Sequence, residues 1–393
     1  MIKTIKDLNI DNKTVLIRCD FNVPIKDGKI VDDNRIVSSL ETIKYALDRN
    51  AKVVLFSHLG RIKTEEDLEK NSLEVVSVRL SELLNKPVHF IPSTRGSEVE
   101  DAVKNMNCGD VILLQNTRYE DLDGKKESSN DQELAKYWAS LGDVFINDAF
   151  GTIHRAHASN VGIATYLESG VGFLIEKEIT ALKTLDNPER EYSVILGGAK
   201  VSDKIGVINN LVTKADHILI GGGMAFTFLK AKEYNIGKSL LDEEKLDYCK
   251  DVLDKYSDKI VLPVDIVVSK VENDASNIEV KSIDNISDDD IGYDVGPETV
   301  ALFEEVLNNS KTVVWNGPLG LCEIPEFKKA TSDILNYLVL NNKRTIIGGG
   351  DTAALVSQDE ELKSKLYHVS TGGGATLEYL EGKELPGIKV LDN

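Results

Sequence analysis

Three glycine triplets, at residues 221–223, 348–350 and 372–374, each follow a short apolar or β-branched run. Each is followed by residues able to open a helix: Met224-Ala225-Phe226, Asp351-Thr352-Ala353 and Ala375-Thr376-Leu377. Strand, glycine turn and helix start thus recur three times in one half of the chain. Glycine admits positive φ and lacks the Cβ that would keep a ligand off the backbone. A helix start adds unpaired N–H groups and the positive end of the dipole. Together these features suit phosphate groups, and three of them point to a nucleotide or polyphosphate site.

Alternation of strand and helix runs through both halves. Apolar runs at 15–17, 53–56, 111–114 and 144–146, then 194–196, 218–220, 260–262, 313–315 and 346–347, read as buried strands. Amphipathic stretches separate them at 36–47, 73–84, 132–141, 203–212, 243–253, 297–307 and 326–338. This order predicts an α/β chain of parallel sheets covered on both faces. Pro297 and Pro325 suit first-turn positions, and Ser202-Asp203 offers a cap. The halves are expected to meet near 168–185, where 173–178 reads as a connecting helix or as one more crossover in a single large sheet.

Bulk composition agrees with an enzyme. A chain of 393 residues with 41% hydrophobic and 28% charged residues can bury two or three cores. With 46 Lys and Arg against 65 Asp and Glu, the net charge of −19 opposes general nucleic-acid binding. Anionic ligands must then be held by local cationic clusters. The first residues lack the apolar stretch of a signal peptide, and no run approaches the ~20 apolar residues that span a bilayer. Cys19, Cys108, Cys249 and Cys322 are far apart and read as reduced thiols, so a cytoplasmic protein without membrane partners is expected.

The N-terminal half carries cations at strand ends: Arg18 with Asp20 and Asn22, Arg35, His58 and Arg61, Arg118, and His154, Arg155 and His157. Loops at the carboxyl ends of strands converge on the ligand crevice of an open α/β sheet. Arginine's rigid fork binds phosphate or carboxylate bidentately, so this set reads as an anion clamp. His154 and His157 at i, i+3 lack a third ligand for zinc. In the C-terminal half, Gly197-Gly198-Ala199-Lys200 leads through Lys204 into a helix; the two lysines are expected on one helix face, both reaching phosphate oxygens. Asp351 is read as either a Mg²⁺ ligand or an N-cap. Gly237-Lys238-Ser239 ends like a P-loop, but Lys232 occupies the upstream glycine position, so the match is set aside. No clean G-x-G-x-x-G opens a helix after the first strand, which argues against a nicotinamide dehydrogenase.

Taken in order, these segments resemble phosphoglycerate kinases over the whole chain. The resemblance is carried by Arg18-Cys19-Asp20-Phe21-Asn22-Val23-Pro24, Ser57-His58-Leu59-Gly60-Arg61, the stretch 147–157, 196–204, 221–229, Asp294-Val295-Gly296-Pro297, Trp315-Asn316-Gly317-Pro318, 348–352 and 368–375. It implies two Rossmann-like domains, each a parallel sheet flanked by helices, joined by an interdomain helix with a deep cleft. Residues 1–169 would bind phosphoglycerate, 170–374 the nucleotide, and the tail 375–393 would return to the first domain. The implied reaction is the glycolytic, reversible transfer of a phosphoryl group from 1,3-bisphosphoglycerate to ADP, giving 3-phosphoglycerate and ATP. Mg²⁺ would accompany the nucleotide in a cytoplasmic monomer.

The same resemblance assigns residues. Asp20, Phe21, Asn22, Arg35, His58, Leu59, Gly60, Arg61, Arg118 and Arg155 would hold the acid. Lys204, Gly292, Glu323, Gly349, Gly350, Asp351 and Thr352 would hold the nucleotide, with Glu323 on the ribose and Asp351 on Mg²⁺. Arg35, Lys200 and Gly373 would stand nearest the transferring group. Ile62, Ile153 and Cys322 depart from the family's usual proline, alanine and phenylalanine, and none removes a charge. A carboxylate acceptor is already ionised at neutral pH, so the chemistry needs positioning and charge neutralisation rather than a general base. Half-sites on two domains would meet on closure, with hinges near 168–178 and 370–374. Two other readings stand beside this one: a kinase for acetate or an amino-acid carboxylate, and a non-catalytic anion-binding protein.

Overall fold

The computed structural model describes residues 2–357 and 359–392. Contacts divide the chain into two compact units, Met1–Thr180 with Glu384–Asn393, and Ala181–Lys383.

The first unit is built on β1 (Thr14–Arg18), β4 (Lys52–Phe56), β5 (His89–Ile91), β6 (Val111–Leu114), β7 (Val144–Asn147) and β8 (Glu168–Val171). All pair in parallel, in the order β5-β6-β4-β1-β7-β8. β6 and β7 are buried at every position, as strands covered by helices on both faces must be. The helix Asn34–Asp48 turns Ile36, Ile43 and Ala46 onto this core. A small hairpin, β2 (Ile25–Lys26) and β3 (Lys29–Ile30), turns through Asp27 and Gly28, both at positive φ. That geometry is the one tight two-residue hairpins demand. From β1 the sheet grows toward β4 on one side and β7 on the other, so the ends of β1 and β7 flank a switch point.

The second unit repeats the architecture with β9 (Tyr192–Leu196), β10 (His217–Ile220), β11 (Ile260–Val261), β15 (Thr312–Asn316), β16 (Arg344–Gly348) and β17 (His368–Val369). Its parallel order, β11-β10-β9-β15-β16-β17, puts the switch point between β9 and β15. A separate antiparallel sheet, β12 (Asp265–Ser269), β13 (Ile278–Ser282) and β14 (Ile291–Val295), runs in the order β13-β12-β14.

Two features depart from the sequence reading. Residues 168–171, read there as part of a junction without a strand, form β8 and pair with β7. The division into units falls after Thr180, not after 169, and the segment returning to the first unit begins at Glu384 rather than at 375. The helix Gly373–Leu380 belongs to the second unit. The antiparallel sheet gave no sequence signal, because its edge strand β13 is largely exposed and mixes Glu279 and Lys281 with Ile278 and Val280.

Candidate active site

At the switch point of the first sheet, the chain leaving β1 meets the chain leaving β7. Asp20, which is buried, accepts hydrogen bonds from the Asn22 amide at 3.2 Å and from Arg35 Nη1 at 2.9 and 3.0 Å. A Cβ on Gly151 would overlap an Asp20 carboxylate oxygen, so only glycine lets the two loops close together here. The Phe21 amide donates to Ser57 Oγ at 2.8 Å, and Asn22 Oδ1 accepts from the Gly60 amide at 2.8 Å. Gly60 stands at φ 59°, a left-handed turn that suits glycine.

Asn116, buried after β6, holds Leu59 from both sides. Its Oδ1 accepts from the Leu59 amide at 3.1 Å, and its Nδ2 donates to the Leu59 carbonyl at 2.7 Å. Asn116 carried no sequence signal, because a lone Asn after a strand reads as a turn residue. Arg18 takes a structural place. It is fully buried, donates from Nε to Ser159 Oγ at 2.7 Å, and lies 3.9 Å from buried Glu127. Glu127 was likewise missed; burial raises its pKa although Arg18 and Ser159 oppose the shift.

Arg61 and Arg155 are exposed, and half-buried Arg118 lies within electrostatic reach of both. Burial lowers the Arg118 pKa first, Asp121 and Glu127 oppose, and Arg155 and Arg61 add to the lowering. Arg118 Nε is buried without a hydrogen-bond partner, and Nη1 is only 3.3 Å from Asp121 and Ser128. Burial, then the field of Arg18 and Arg118, pushes His58 well below its ordinary pKa. Burial and the same arginines, with Arg155 and His154, push His157 down to about 3. Burial keeps both histidines neutral, and the arginines beside them, which add to that shift, form a region that an anion would stabilise. Ile62 and Ile153 are both buried, and the Ile153 carbonyl accepts from the Gly387 amide at 2.8 Å.

At the switch point of the second sheet, backbone packs directly on backbone. Gly197 and Gly198 donate to the Asn316 and Pro318 carbonyls, both at 3.0 Å, and Gly222 donates to Leu319 at 2.9 Å. A side chain at Gly197 would overlap the Pro318 carbonyl, and Gly222, at φ 65°, lies against Gly198. This close approach accounts for the first glycine triplet.

The lysines are not on one helix face. Lys200 is exposed and extended (φ −129°, ψ 142°) ahead of a single 3-10 turn, Val201–Asp203, and Lys204 closes that turn. Lys204 Nζ donates to Asn316 Oδ1. Its pKa is lowered by burial, against the opposing fields of Asp203, Asp351 and Glu381. Asn316 Nδ2 is buried and unpartnered beside Gly349, which stands at φ 93°. Asn316 lay within a recognised segment, yet its side chain carried no expectation.

The second and third triplets come together. The helices Gly350–Ser357 and Gly373–Leu380 start next to one another, and a Cβ on Gly373 would lie 2.9 Å from the Gly350 amide nitrogen. Two helix N-termini, whose first N–H groups have no partner within the helix, therefore lie together beside Asn316 and its partner Lys204. Asp351 is the second residue of its helix rather than its N-cap, and its carboxylate is exposed. Among the described residues it makes no hydrogen bond or ion pair with a side chain. Thr352 is fully buried, its Oγ1 accepting from the Gly317 amide at 3.0 Å, so its side chain ties the helix start to the turn after β15.

A cavity of about 740 Å³ opens next to this region, lined by Phe226, Ile266, Gly292, Tyr293, Glu323 and Asp351 among others. The antiparallel sheet supplies one wall. The Gly292 amide donates to Ser239 Oγ at 2.8 Å, and a side chain there would overlap the Phe226 ring. Lys238 and Ser239 also line the cavity, although no helix starts at them as a P-loop requires; the next helical turn begins at Glu243.

Among the described residues no three His, Cys, Asp or Glu side chains converge as a metal cage. Mg²⁺ seldom has one, being held by one or two carboxylates, waters and substrate phosphates. Asp351, exposed and uncommitted, fits that use.

Two parallel sheets, one with a cationic pocket and one with paired helix starts after its strands β16 and β17, define an α/β enzyme suited to phosphoryl transfer. Comparison with known proteins gives the particular family. The family model described as phosphoglycerate kinase matches residues 5–383. A phosphoglycerate kinase of Listeria innocua is 58% identical over 393 residues, covering 100% of this chain and 99% of its own. One of Enterococcus faecalis is 58% identical over 395 residues, with the same coverage. Among solved structures, a phosphoglycerate kinase from Coxiella burnetii superposes with a TM-score of 0.89 at 40% identity, covering 100% of this chain and 99% of its own. One from Pyrococcus horikoshii gives 0.86 at 31%, covering 100% and 98%. The chain belongs to the phosphoglycerate kinase family, and is a kinase with a carboxyl acceptor. A kinase for acetate or an amino acid is not favoured.

Proposed function

We propose that the first unit binds 3-phosphoglycerate or 1,3-bisphosphoglycerate and the second binds ADP or ATP, and that the phosphoryl group passes in line between them. The observation that carries this reading is the convergence of the Gly350 and Gly373 helix starts beside Lys204 and Asn316. Toward ATP consumption, an oxygen of the phosphoglycerate carboxylate bonds to the γ-phosphorus as the bond to the β,γ-bridging oxygen breaks, and ADP leaves. The carboxylate is already ionised, so no side chain need take a proton.

Arg61, Arg118 and Arg155 hold the anionic acid, while neutral His58 offers a hydrogen bond without adding charge. Asp20, Phe21, Asn22, Leu59 and Gly60 shape the pocket wall. Arg35, aimed by Asp20, and exposed Lys200 neutralise charge on the transferring group, with the Gly373 backbone beside them. Lys204 and the backbone of 349–352 hold the nucleotide phosphates, and Gly292 and Glu323 face its base and ribose. Bound Mg²⁺ would neutralise the phosphates, held on the protein side by Asp351. The half-sites are carried by separate units, so transfer requires their approach, with hinges near 168–178 and 370–374. Closure expels water and strengthens each charged contact. Small-angle scattering should show compaction with both substrates, and an unchanged radius of gyration would exclude closure.

We propose a cytoplasmic monomer. All four cysteines are unpaired thiols, and among the described residues no helix is long and apolar enough to cross a membrane. The deciding experiment is 3-phosphoglycerate-dependent consumption of MgATP, coupled to reduction of the bisphosphate product. Turnover lost in Lys200→Ala supports the reading; folded protein without turnover on 3-phosphoglycerate removes it.

A further inference from the structure

One buried acid in the nucleotide cavity has no part in the scheme above. Asp294, near the end of β14, is 3% exposed and lines the cavity. Its Oδ1 accepts from the Val295 amide at 2.9 Å. Its Oδ2 accepts from the Ala330 amide at 3.0 Å, in the first turn of the helix Lys329–Leu340. Gly320 lies directly on this carboxylate, since a Cβ there would overlap it.

Gly320 belongs to the segment 318–323, whose Pro318, Leu319, Gly320, Leu321 and Glu323 all face the cavity. The same segment is tied to the two elements that Asp294 joins. The Leu321 amide donates to the Tyr293 carbonyl at 2.9 Å, and the Leu319 amide donates to Thr331 Oγ1 at 3.0 Å. Cys322 Sγ lies 3.5 Å from that Thr331 hydroxyl.

We propose that Asp294 is a positioning residue for the nucleotide: its carboxylate clamps β14 to the start of the helix Lys329–Leu340 and thereby sets where segment 318–323, with Glu323, stands in the cavity. The inference rests on the reading of this cavity as the nucleotide site. It adds a residue that touches no substrate and acts through the loop that does.

The clamp is sensitive to its charge. A carboxylate accepts two amide hydrogen bonds more strongly than a neutral acid does. Burial raises the Asp294 pKa to about 7, against the Ala330 and Val295 amides. Asp333 adds to the rise and Lys329 opposes it. From the loop side Cys322 and Glu323 are the ionisable groups, and β12 sets uncharged Val267 opposite Asp294. As the pH falls through about 7, Asp294 takes up a proton. The clamp then weakens, and with it nucleotide affinity.

The test uses the full chain and MgADP as probe, with titration calorimetry near pH 8 and near pH 6. Asp294→Asn is isosteric and cannot ionise. It should weaken MgADP on the order of tenfold near pH 8, the scale of one charge-assisted hydrogen bond. The KM for 3-phosphoglycerate should stay within about twofold, and the variant-to-wild-type ratio for MgADP should shrink toward one near pH 6. Ionisation of ADP itself cancels in that ratio. A ratio of one near pH 8, or a penalty equal at both pH values, overturns the proposal.

If the variant fails to fold, ¹³C-aspartate NMR of the wild type decides. By linkage, saturating MgADP must lower the Asp294 midpoint, and an unmoved midpoint overturns the proposal. Wild type that binds no MgADP removes the nucleotide reading itself, a failure distinct from wild type that binds normally beside an indifferent Asp294→Asn.

Discussion

A single guanidinium nitrogen of Arg35 sits between both carboxylate oxygens of Asp20, at 3.0 and 2.9 Å. The acid is buried and the Arg35 side chain is 39% exposed, so the pair is anchored at one end and open at the other. The remaining guanidinium nitrogens stay available to a ligand. Arg35→Ala should therefore lower kcat by roughly 10²–10³, the scale of losing one preorganised donor to developing charge. Thermal stability should change little. Asp20→Asn keeps the shape and loses the aiming charge, so it should cost less. Steady-state kinetics check both, and near-normal turnover in Arg35→Ala would place the residue outside the reacting shell.

Gly151 tests the same pair from behind. A Cβ there would meet Asp20 Oδ2 and come within 4.0 Å of Arg35 Nη1. Gly151→Ala should displace the acid and its arginine together, with an overpacking cost of about 1–3 kcal/mol. The expected result is a lower kcat/KM for phosphoglycerate with nucleotide KM unchanged. A raised nucleotide KM together with a lowered melting temperature would mean general unfolding rather than a local shift.

How much of this was written in the sequence depends on the kind of signal. The central strands of both parallel sheets announced themselves, because β6, β7, β9 and β15 are buried at every position and must read as apolar runs, whereas the edge strands β5 and β8, which are partly exposed, did not. The glycines at 197, 222 and 349 were legible because close backbone approach or positive φ admits little else. The side chains that aim them were not. Asn116, Glu127, Asn316 and Asp294 act through partners 32 to 112 residues away, such as Leu59 for Asn116 and Lys204 for Asn316. No local pattern encodes such pairings. The spacing of Lys200 and Lys204 misled for a related reason: four residues share a face only within a continuous helix, and here a 3-10 turn intervenes. The cavity wall from β12 to β14 was hidden because an exposed edge strand lacks the alternation that marks a half-buried one.

Asp351 offers a metal test with two arms. Its carboxylate is exposed at the second position of the helix Gly350–Ser357, and its field reaches Lys204. Asp351→Ala should weaken MgADP by about tenfold, as loss of one charge-assisted contact does. Binding of ADP with excess chelator should be unchanged or tighter, since a negative charge near the phosphates is gone. Calorimetry with and without Mg²⁺ separates the two. A residue serving only the helix would lose stability and leave both affinities alike.

Asp148 sets a stability prediction whose sign runs against the usual acid trend. It follows β7, and its Oδ1 accepts from the amides of Leu174 and Ile175 at 3.0 and 3.3 Å, at the start of the helix Phe173–Lys183. Oδ2 is buried without a partner. Burial raises its pKa to about 7, with Thr42 and the two amides opposing. An unfolded aspartate titrates near 3.9. Between about 4 and 7 the folded chain holds a proton that the unfolded chain has released, so this group's contribution to stability falls as pH rises and levels off above 7. Asp148→Asn keeps the acceptor oxygen and removes the titration. Near pH 8 the variant should be as stable as wild type or more so, by at most a few kcal/mol; near pH 5 that advantage should be smaller, and it should vanish only below about pH 4. His58 and His157, held neutral, destabilise the fold in acid with the opposite sign. They act equally in both proteins, so the difference between the two urea titrations isolates Asp148. A difference independent of pH would mean that the Asp148 carboxyl keeps its charge in the folded chain.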